Sequence, residues 1–151
     1  MGTQRMNLQQ VAGEAYEAML GLERSVHRGN LSEALIALVK IRASQLNRCA
    51  FCLDMHTGEA RRVGISQRKL DLLPAWREAT ELYDEREQAA LELTEEVTLI
   101  SRDGVRDEVW GRAASAFAEA DLASLVMAIC AINSWNRMAV ATRRPLPARA
   151  E

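Results

Sequence analysis

Two cysteines and one histidine lie close together in this 151-residue chain, and their spacing could support chemistry. Two residues separate Cys49 from Cys52, and His56 follows four positions after the second thiol. In a helix, which advances about 100° per residue, all three side chains would lie within about 60° of one another and could enter one pocket. A thiol pair with a nearby imidazole indicates either redox chemistry or metal binding.

The turn before this segment favours redox chemistry. Asn47 and Arg48 are typical of a turn or a helix cap, so we expect a helix over residues 49–63. Unpaired N–H groups at a helix start stabilise a thiolate and lower the pKa of a thiol below its usual value of about 8.5. We therefore expect one thiolate to attack a peroxide or disulfide and the other to close a Cys49–Cys52 disulfide. Both orders of attack are open, because the first cysteine attacks in thioredoxin-like motifs, whereas His56 could take the proton of Cys52.

The two competing explanations of this segment are a zinc site and two unrelated, inert thiols. A closed zinc site usually takes four nitrogen or sulfur ligands. Outside the segment the chain offers only Cys130 and His27 as further cysteine or histidine ligands. We therefore predict no metal and no bound cofactor, and a redox-active disulfide is the reactive group that we expect. Cys130 stands between apolar residues and is predicted to be a buried, inert thiol, whereas His27 is predicted to lie in a solvated turn.

The composition of the chain indicates a cellular compartment and argues against some classes of partner. The formal net charge is -2, so the chain has no basic field that would attract nucleic acid. No apolar run approaches the roughly 20 residues that span a bilayer, and the polar N-terminal residues are not typical of a signal peptide. We therefore expect a cytoplasmic protein without nucleic-acid or membrane partners. In such a reducing compartment, a C-x-x-C pair favours redox or metal chemistry over a structural bridge.

The remaining sequence predicts an all-α, single-domain helical bundle of about six to eight helices. Alanine and leucine are plentiful and aromatic residues make up only 5%, which favours helices over a β-sandwich. Apolar spacing predicts helices over residues 8–22, 32–45, 49–63, 67–73, 84–101, 105–116 and 121–142. We expect residues 1–30 to form an N-terminal helix and turn that pack on the core, residues 31–142 to form the helical domain, and residues 143–151 to be a disordered tail.

The helix predicted over residues 32–45 has apolar residues on most of its sides. This pattern indicates a central helix that several neighbours contact. Lys40 and Arg42 are its charged exceptions, and each could reach solvent or an acidic partner with its long side chain.

Residues 38–57, which include Cys-Ala-Phe-Cys-Leu-Asp-Met-His, resemble the alkylhydroperoxidase D-like branch of the carboxymuconolactone decarboxylase family. The stretch Ala-Ile-Asn-Ser-Trp-Asn-Arg at 131–137 is also similar to that branch, and the similarity covers residues 31–141. The resemblance implies an all-helical protein that assembles as trimers or hexamers. It also implies thiol-dependent peroxidase or disulfide reductase activity on a small hydroperoxide, with a thiol or dithiol protein as the reductant. Under this resemblance Cys52 attacks the peroxide, Cys49 is its disulfide partner and His56 is the base of a proton relay.

Two positions of this chain depart from the pattern of that branch. Its best-known members carry a relay glutamate twelve residues before the first cysteine, where this chain has Ala37. They often carry a second histidine directly before the second cysteine, where this chain has Phe51. The usual proton relay is therefore incomplete, and another carboxylate would be needed to complete it.

Glu95 is the carboxylate that we predict to complete the relay. Leu91 and Leu99 lie one turn on either side of it, so Glu95 is expected to be partly buried. A buried carboxylate beside a histidine can take part in proton transfer. Asp54 and Glu59 are alternatives that rank below it.

The sequence also bears on assembly and on competing functions. The helix over residues 84–101 has apolar residues on opposite sides, which fits a homo-oligomer in which a neighbouring copy covers one side.

Reduction of a hydroperoxide is the leading function. One alternative is an enzyme that opens or decarboxylates a small lactone, as in other branches of the family, and it would not require the cysteines. The other is a non-catalytic oligomeric binding protein whose disulfide senses the redox state.

Overall fold

The computed structural model describes residues 3–147, and within that range the chain is all α-helical, as the sequence predicts. Two short 3₁₀ segments follow the fifth helix, and no strand occurs among the described residues. None of the helices within residues 3–147 has both the length and the apolar character needed to cross a membrane. The α-helices are α1 (Leu8–Val11), α2 (Gly13–His27), α3 (Glu33–Leu46), α4 (Ala50–Arg62), α5 (Gln67–Leu72), α6 (Glu85–Thr98), α7 (Asp107–Ala116) and α8 (Glu119–Thr142), and the 3₁₀ segments span Leu73–Glu78 and Thr80–Leu82.

Helix α3 lies at the centre of the bundle and contacts α4, α6 and α8. It begins at Glu33, where the Ser32 side chain accepts a hydrogen bond from the N–H of Leu35. Leu38 and Val39 are both fully buried, although consecutive residues of a helix point in different directions. Neighbouring helices therefore cover α3 on several sides, and its predicted central position is confirmed.

Helix α6 begins with the predicted capping box. Asp84 accepts a hydrogen bond from the N–H of Glu87, and the Glu87 carboxylate accepts one from the N–H of Asp84. Leu91 belongs to an apolar cluster that α6 shares with α3, α5 and the first 3₁₀ segment, and Leu93 belongs to a cluster shared with α3, α7 and α8. The chain itself thus buries the apolar surface that was assigned to a neighbouring copy, and α6 gives no support to the oligomer prediction.

The first predicted helix is in fact two helices. Ala12 has a φ of -126° and a ψ of 50°, so α1 ends at Val11 and α2 begins at Gly13. Helix α2 then continues to His27, beyond the predicted end at residue 22. His27 is solvent-exposed, as predicted, but it lies in the last turn of a helix, so the predicted turn at this position is wrong.

Helix α8 packs against α2, α3 and α4 and ends at Thr142. Arg143 follows with a left-handed φ of 53°, and residues 143–147 continue without helix. The rest of the predicted disordered tail, residues 148–151, lies outside the described residues. The backbone N–H of Arg5 donates to the carbonyl of Thr142 at 2.8 Å, so the segment before α1 lies against the end of α8.

Candidate active site

The two cysteines of the motif form a disulfide at the start of α4. Cys49 is the N-cap residue, and its Sγ accepts a hydrogen bond from the N–H of Cys52 at 3.3 Å. Arg48 has a left-handed φ of 55°, which redirects the chain between α3 and α4. Cys49 and Cys52 are 1% and 2% exposed. The predicted helix start is confirmed to within one residue, and the sulfur pair is buried in its first turn.

A buried polar network from α8 holds the turn that leads into the disulfide. The side-chain amide of Asn47 donates to the Oδ1 atoms of Asn133 and Asn136, both at 2.9 Å. Asn136 in turn donates to Ser44 Oγ at 3.0 Å, and Asn133 donates to Thr98 of α6 at 3.0 Å. Because Asn136 is fully buried, these hydrogen bonds replace the water that its side chain loses on folding, and they fix the end of α3.

Replacing Asn136 with alanine should lower the free energy of unfolding by about 2–4 kcal/mol, because Asn47 and Ser44 would each lose a buried partner. Urea denaturation followed by circular dichroism measures the change. Asn30→Ala is a matched control, since the exposed amide of Asn30 only contacts Asp121 at 3.4 Å, and we expect a loss below about 0.5 kcal/mol. Equal losses in the two variants would contradict the role of the buried network.

A cavity of about 460 Å³ lies beside the disulfide, between α2, α3, α4 and α8. Cys52 lines this cavity, whereas Cys49 is not among its lining residues. A small molecule in the cavity would therefore contact Cys52 rather than Cys49. Apolar side chains form much of the wall, which suits an organic ligand. They include Leu20, Ile36 and Met55.

His56 and Glu59 form a hydrogen-bonded pair in the wall of the cavity. His56 is 4% exposed, and its Nδ1 lies 2.7 Å from Glu59 Oε2. Nδ1 therefore carries a proton and donates it to this hydrogen bond, which leaves Nε2 as the atom that can accept a proton. The hydrogen bond from His56 lowers the pKa of Glu59, burial acts in the opposite direction, and electrostatic attraction to His56 and Lys40 lowers it further. Cys52 lies one helical turn before His56, so the thiol and the imidazole share one face of α4.

Glu59 should stabilise the fold at neutral pH and lose this effect in acid. Its folded-state pKa lies below the ordinary value of 4.5, so folding favours the ionised carboxylate. We therefore expect Glu59→Gln to unfold more easily than the wild type at neutral pH. The difference should shrink as the pH falls below about 4.5 and through the lowered pKa. Urea denaturation at several pH values measures it, with the exposed Glu81→Gln as a control that should show no such trend. A difference that grows in acid would contradict the prediction.

The structure does not place Glu95 beside the histidine. Its carboxylate accepts hydrogen bonds from Arg42 Nε and Trp76 Nε1, both at 2.8 Å, and it also pairs with Arg77. Arg42 and Lys40 lie about 160° apart around α3, and the cavity lies on the Lys40 side. Glu95 is partly buried, as predicted, with 14% of its side chain exposed. The predicted position in the relay is nevertheless wrong, because the carboxylate lies outside the cavity.

Glu59, one of the two carboxylates that ranked below Glu95, contacts the histidine. Asp54 is not among the residues that line the cavity. Ala37 and Phe51 do line it, so the two positions that depart from the family pattern both face the site. The catalytic roles assigned to the cysteines and the histidine stay predictions that this geometry permits.

A second group of charged side chains, which the sequence pattern did not connect, lines the same cavity. Lys40 of α3 is 3% exposed, and its Nζ donates to Glu23 of α2 and lies 2.8 Å from His27 Nε2. The other oxygen of Glu23 accepts a hydrogen bond from Trp135 Nε1 at 3.1 Å. Burial raises the pKa of Glu23, but the charge and hydrogen bond of Lys40, together with the bond from Trp135, outweigh it and lower the pKa overall. The one signal in the sequence was a lysine on a helix that is apolar on most sides.

Cys130 is exposed, because it occupies a side of α8 that the other helices leave uncovered, and the prediction of a buried thiol is wrong. Within the part of the chain that the structure describes, no three histidine, cysteine, aspartate or glutamate side chains are grouped to hold a metal ion.

In sequence and in fold, this chain is similar to members of a known family. Residues 12–96 match the sequence profile of the carboxymuconolactone decarboxylase family. A crystal structure from Agrobacterium tumefaciens is 37% identical in sequence and matches with a TM-score of 0.92, covering 97% of this chain and 100% of that chain. The function of that protein is unknown, and it has been suggested to be the antioxidant defence protein AhpD. The chain therefore belongs to the carboxymuconolactone decarboxylase family, in its AhpD-like branch, as the sequence resemblance indicates.

Two further relatives show how broadly the fold is used. The uncharacterised protein YdfG of Bacillus subtilis is 39% identical over 139 residues, which cover 92% of this chain and 94% of YdfG. The debrominase Bmp8 shares the fold with a TM-score of 0.79 at 17% identity, covering 93% of this chain and 75% of that protein. Proteins with this fold thus include a debrominase.

Proposed function

We propose that this protein is a thiol-dependent peroxidase or disulfide reductase, and that a small organic hydroperoxide is its substrate. The position of Cys52 carries the proposal, because this residue lines the apolar cavity and its sulfur is already paired with Cys49. The hydrogen-bonded pair of His56 and Glu59 in the same wall supplies a base. The suggested antioxidant role of the Agrobacterium tumefaciens relative supports the same activity.

The proposed reaction has an oxidation step and a resolving step. His56 takes the proton of the Cys52 thiol, and the thiolate attacks the terminal oxygen of the hydroperoxide. The O–O bond breaks, the leaving alkoxide takes up one proton, and the products are an alcohol and a sulfenic acid on Cys52. The Cys49 thiol then attacks that sulfur, releases water and closes the disulfide. A thiol or dithiol protein would return two electrons and two protons and restore both thiols.

Turnover of cumene hydroperoxide with dithiothreitol as the reductant tests this function. We expect the wild-type protein to consume many equivalents of the hydroperoxide and to oxidise one dithiol for each. Cys130→Ser should keep this activity, because Cys130 is exposed on α8 and does not line the cavity. Consumption no faster than that of dithiothreitol alone would contradict the proposal.

The same samples separate the alternative functions. A lactone-decarboxylating enzyme would act on its substrate whether or not the cysteines are present. A redox-sensing binding protein would show no turnover, but its oligomer size would change with dithiothreitol.

Light scattering on these samples also measures the assembly, which we propose to be a trimer or hexamer. Exposed apolar side chains on α7 and α8 offer surface for such contacts; they include Trp110, Met127 and Val140.

A further inference from the structure

Lys40 has one N–H group without a protein partner among the described residues. An ammonium carries three N–H donors; Glu23 accepts one from Lys40, and a neutral His27 ring with its proton on Nδ1 accepts a second at Nε2. Because Lys40 is 3% exposed and lines the same cavity as Cys52, its third N–H is available to a molecule bound in that cavity. We propose that Lys40 is the general acid of the peroxidase reaction and protonates the alkoxide that leaves when the O–O bond breaks. This role rests on the proposed function.

The chemistry of the leaving group explains why an acid is needed. An alkoxide is strongly basic, so its departure is fastest when a proton reaches it as the O–O bond breaks. The Cys52 thiolate forms a bond to the terminal oxygen, the electrons of the O–O bond move to the alkoxide oxygen, and the Lys40 ammonium transfers a proton there. The products are a sulfenic acid, an alcohol and a neutral lysine. One proton must therefore return from solvent to Lys40 before the next turnover.

His27 and Glu33 connect Lys40 to solvent. His27 Nδ1 lies 2.9 Å from both carboxylate oxygens of Glu33, and the side chains of His27 and Glu33 are 36% and 54% exposed. His27 Nε2 faces inward, 2.8 Å from Lys40 Nζ and 3.1 Å from Glu23 Oε1. A neutral ring with its proton on Nδ1 can accept a hydrogen bond from Lys40, whereas a doubly protonated ring can donate to Glu23. A proton taken up at the surface can therefore move inward to the buried ion pair.

The proposed acid and the proposed base stand on different walls of the cavity. His56 and Glu59 belong to α4, whereas Lys40 and its partners belong to α2 and α3. His56 receives the thiol proton, and the Glu59 side chain, which is 40% exposed, leads to solvent. With two separate proton paths, the thiol can stay ionised while the leaving group is protonated.

Two oxidants whose leaving groups differ in basicity test this role. tert-Butyl hydroperoxide releases an alkoxide, which needs a proton, whereas peracetic acid releases acetate, which does not. Stopped-flow oxidation of the reduced protein gives a rate constant for each oxidant. We expect Lys40→Met to lower the ratio of the tert-butyl hydroperoxide rate constant to the peracetic acid rate constant by about 100-fold. Any loss of thiolate caused by removing the lysine charge slows both reactions alike, so it cancels from the ratio.

A matched lysine outside the cavity provides the control. Lys69 forms a partly buried pair with Glu87 at 2.6 Å, and Lys69→Met should leave the ratio unchanged. The double variant Glu23→Gln/Lys40→Met removes both charges of the buried pair and should show the same fall if the single variant does not fold. An unchanged ratio in either folded variant would overturn the proposal. A wild-type protein that reacts with neither oxidant would instead contradict the proposed function, and the role of Lys40 with it.

Discussion

Replacing Cys52 with serine is expected to slow hydroperoxide consumption by about 1000-fold or more, because a serine hydroxyl is not ionised at neutral pH and cannot be oxidised in place of sulfur. Cys49→Ser should behave differently, since Cys52 would still line the cavity beside His56. We expect this variant to consume one equivalent of hydroperoxide quickly and then to slow. Its product would be a sulfenic acid on Cys52 that no neighbouring thiol resolves.

Stopped-flow and steady-state measurements separate these two variants. Labelling with dimedone, which reacts with sulfenic acids, should mark Cys52 in the Cys49→Ser variant. Cys130→Ser is the control for the loss of a thiol as such, because Cys130 is exposed on α8. Fast consumption that survives in Cys52→Ser and disappears in Cys49→Ser would reverse the proposed order of attack.

His56→Asn should produce the second largest effect, a fall in kcat/KM of about 10²–10³-fold at neutral pH. Asparagine can still donate a hydrogen bond to Glu59, but it cannot take the proton of the Cys52 thiol. The loss should become smaller at high pH, because an ordinary thiol ionises without a base near its pKa of about 8.5.

A pH profile of kcat/KM for a single hydroperoxide distinguishes the loss of a base from structural damage. The curves of the wild type and of His56→Asn should approach each other as the pH rises through the range in which a thiol ionises. A loss of the same size at every pH would show that His56 supports the fold of the site rather than the ionisation of Cys52.

Much of the helical framework follows from local sequence. Ser32 and Asp84 are strong capping residues, and together with apolar spacing they place the starts of α3 and α6 within one residue. Local sequence does not predict the break between α1 and α2 at Ala12. Gly13 is its only local signal, and a single glycine within an apolar pattern is compatible with a continuous helix. The sequence pattern also does not predict the end of α2, because the residues at a helix end give a weaker signal than the apolar face does.

Residue spacing predicts the reactive groups of the site, but it does not predict the charged side chains around them. Cys49, Cys52 and His56 occupy one helix, so helical geometry alone brings them together. Lys40 and Glu95 both lie near apolar neighbours, and burial could be expected for both. Which way each one faces depends on the rotation of its helix within the bundle. The partners of Lys40 come from another helix, so local sequence could not identify them.

Mass mapping after limited oxidation tests the central claim most directly. Fully reduced protein receives less than one equivalent of tert-butyl hydroperoxide, and the remaining thiols are alkylated before peptide mass analysis. We predict a Cys49–Cys52 disulfide in proportion to the oxidant added, with Cys130 recovered as an alkylated thiol. Oxidation found mainly on Cys130, or unreacted hydroperoxide with both site cysteines alkylated, would contradict the claim that this cysteine pair is a peroxidase centre.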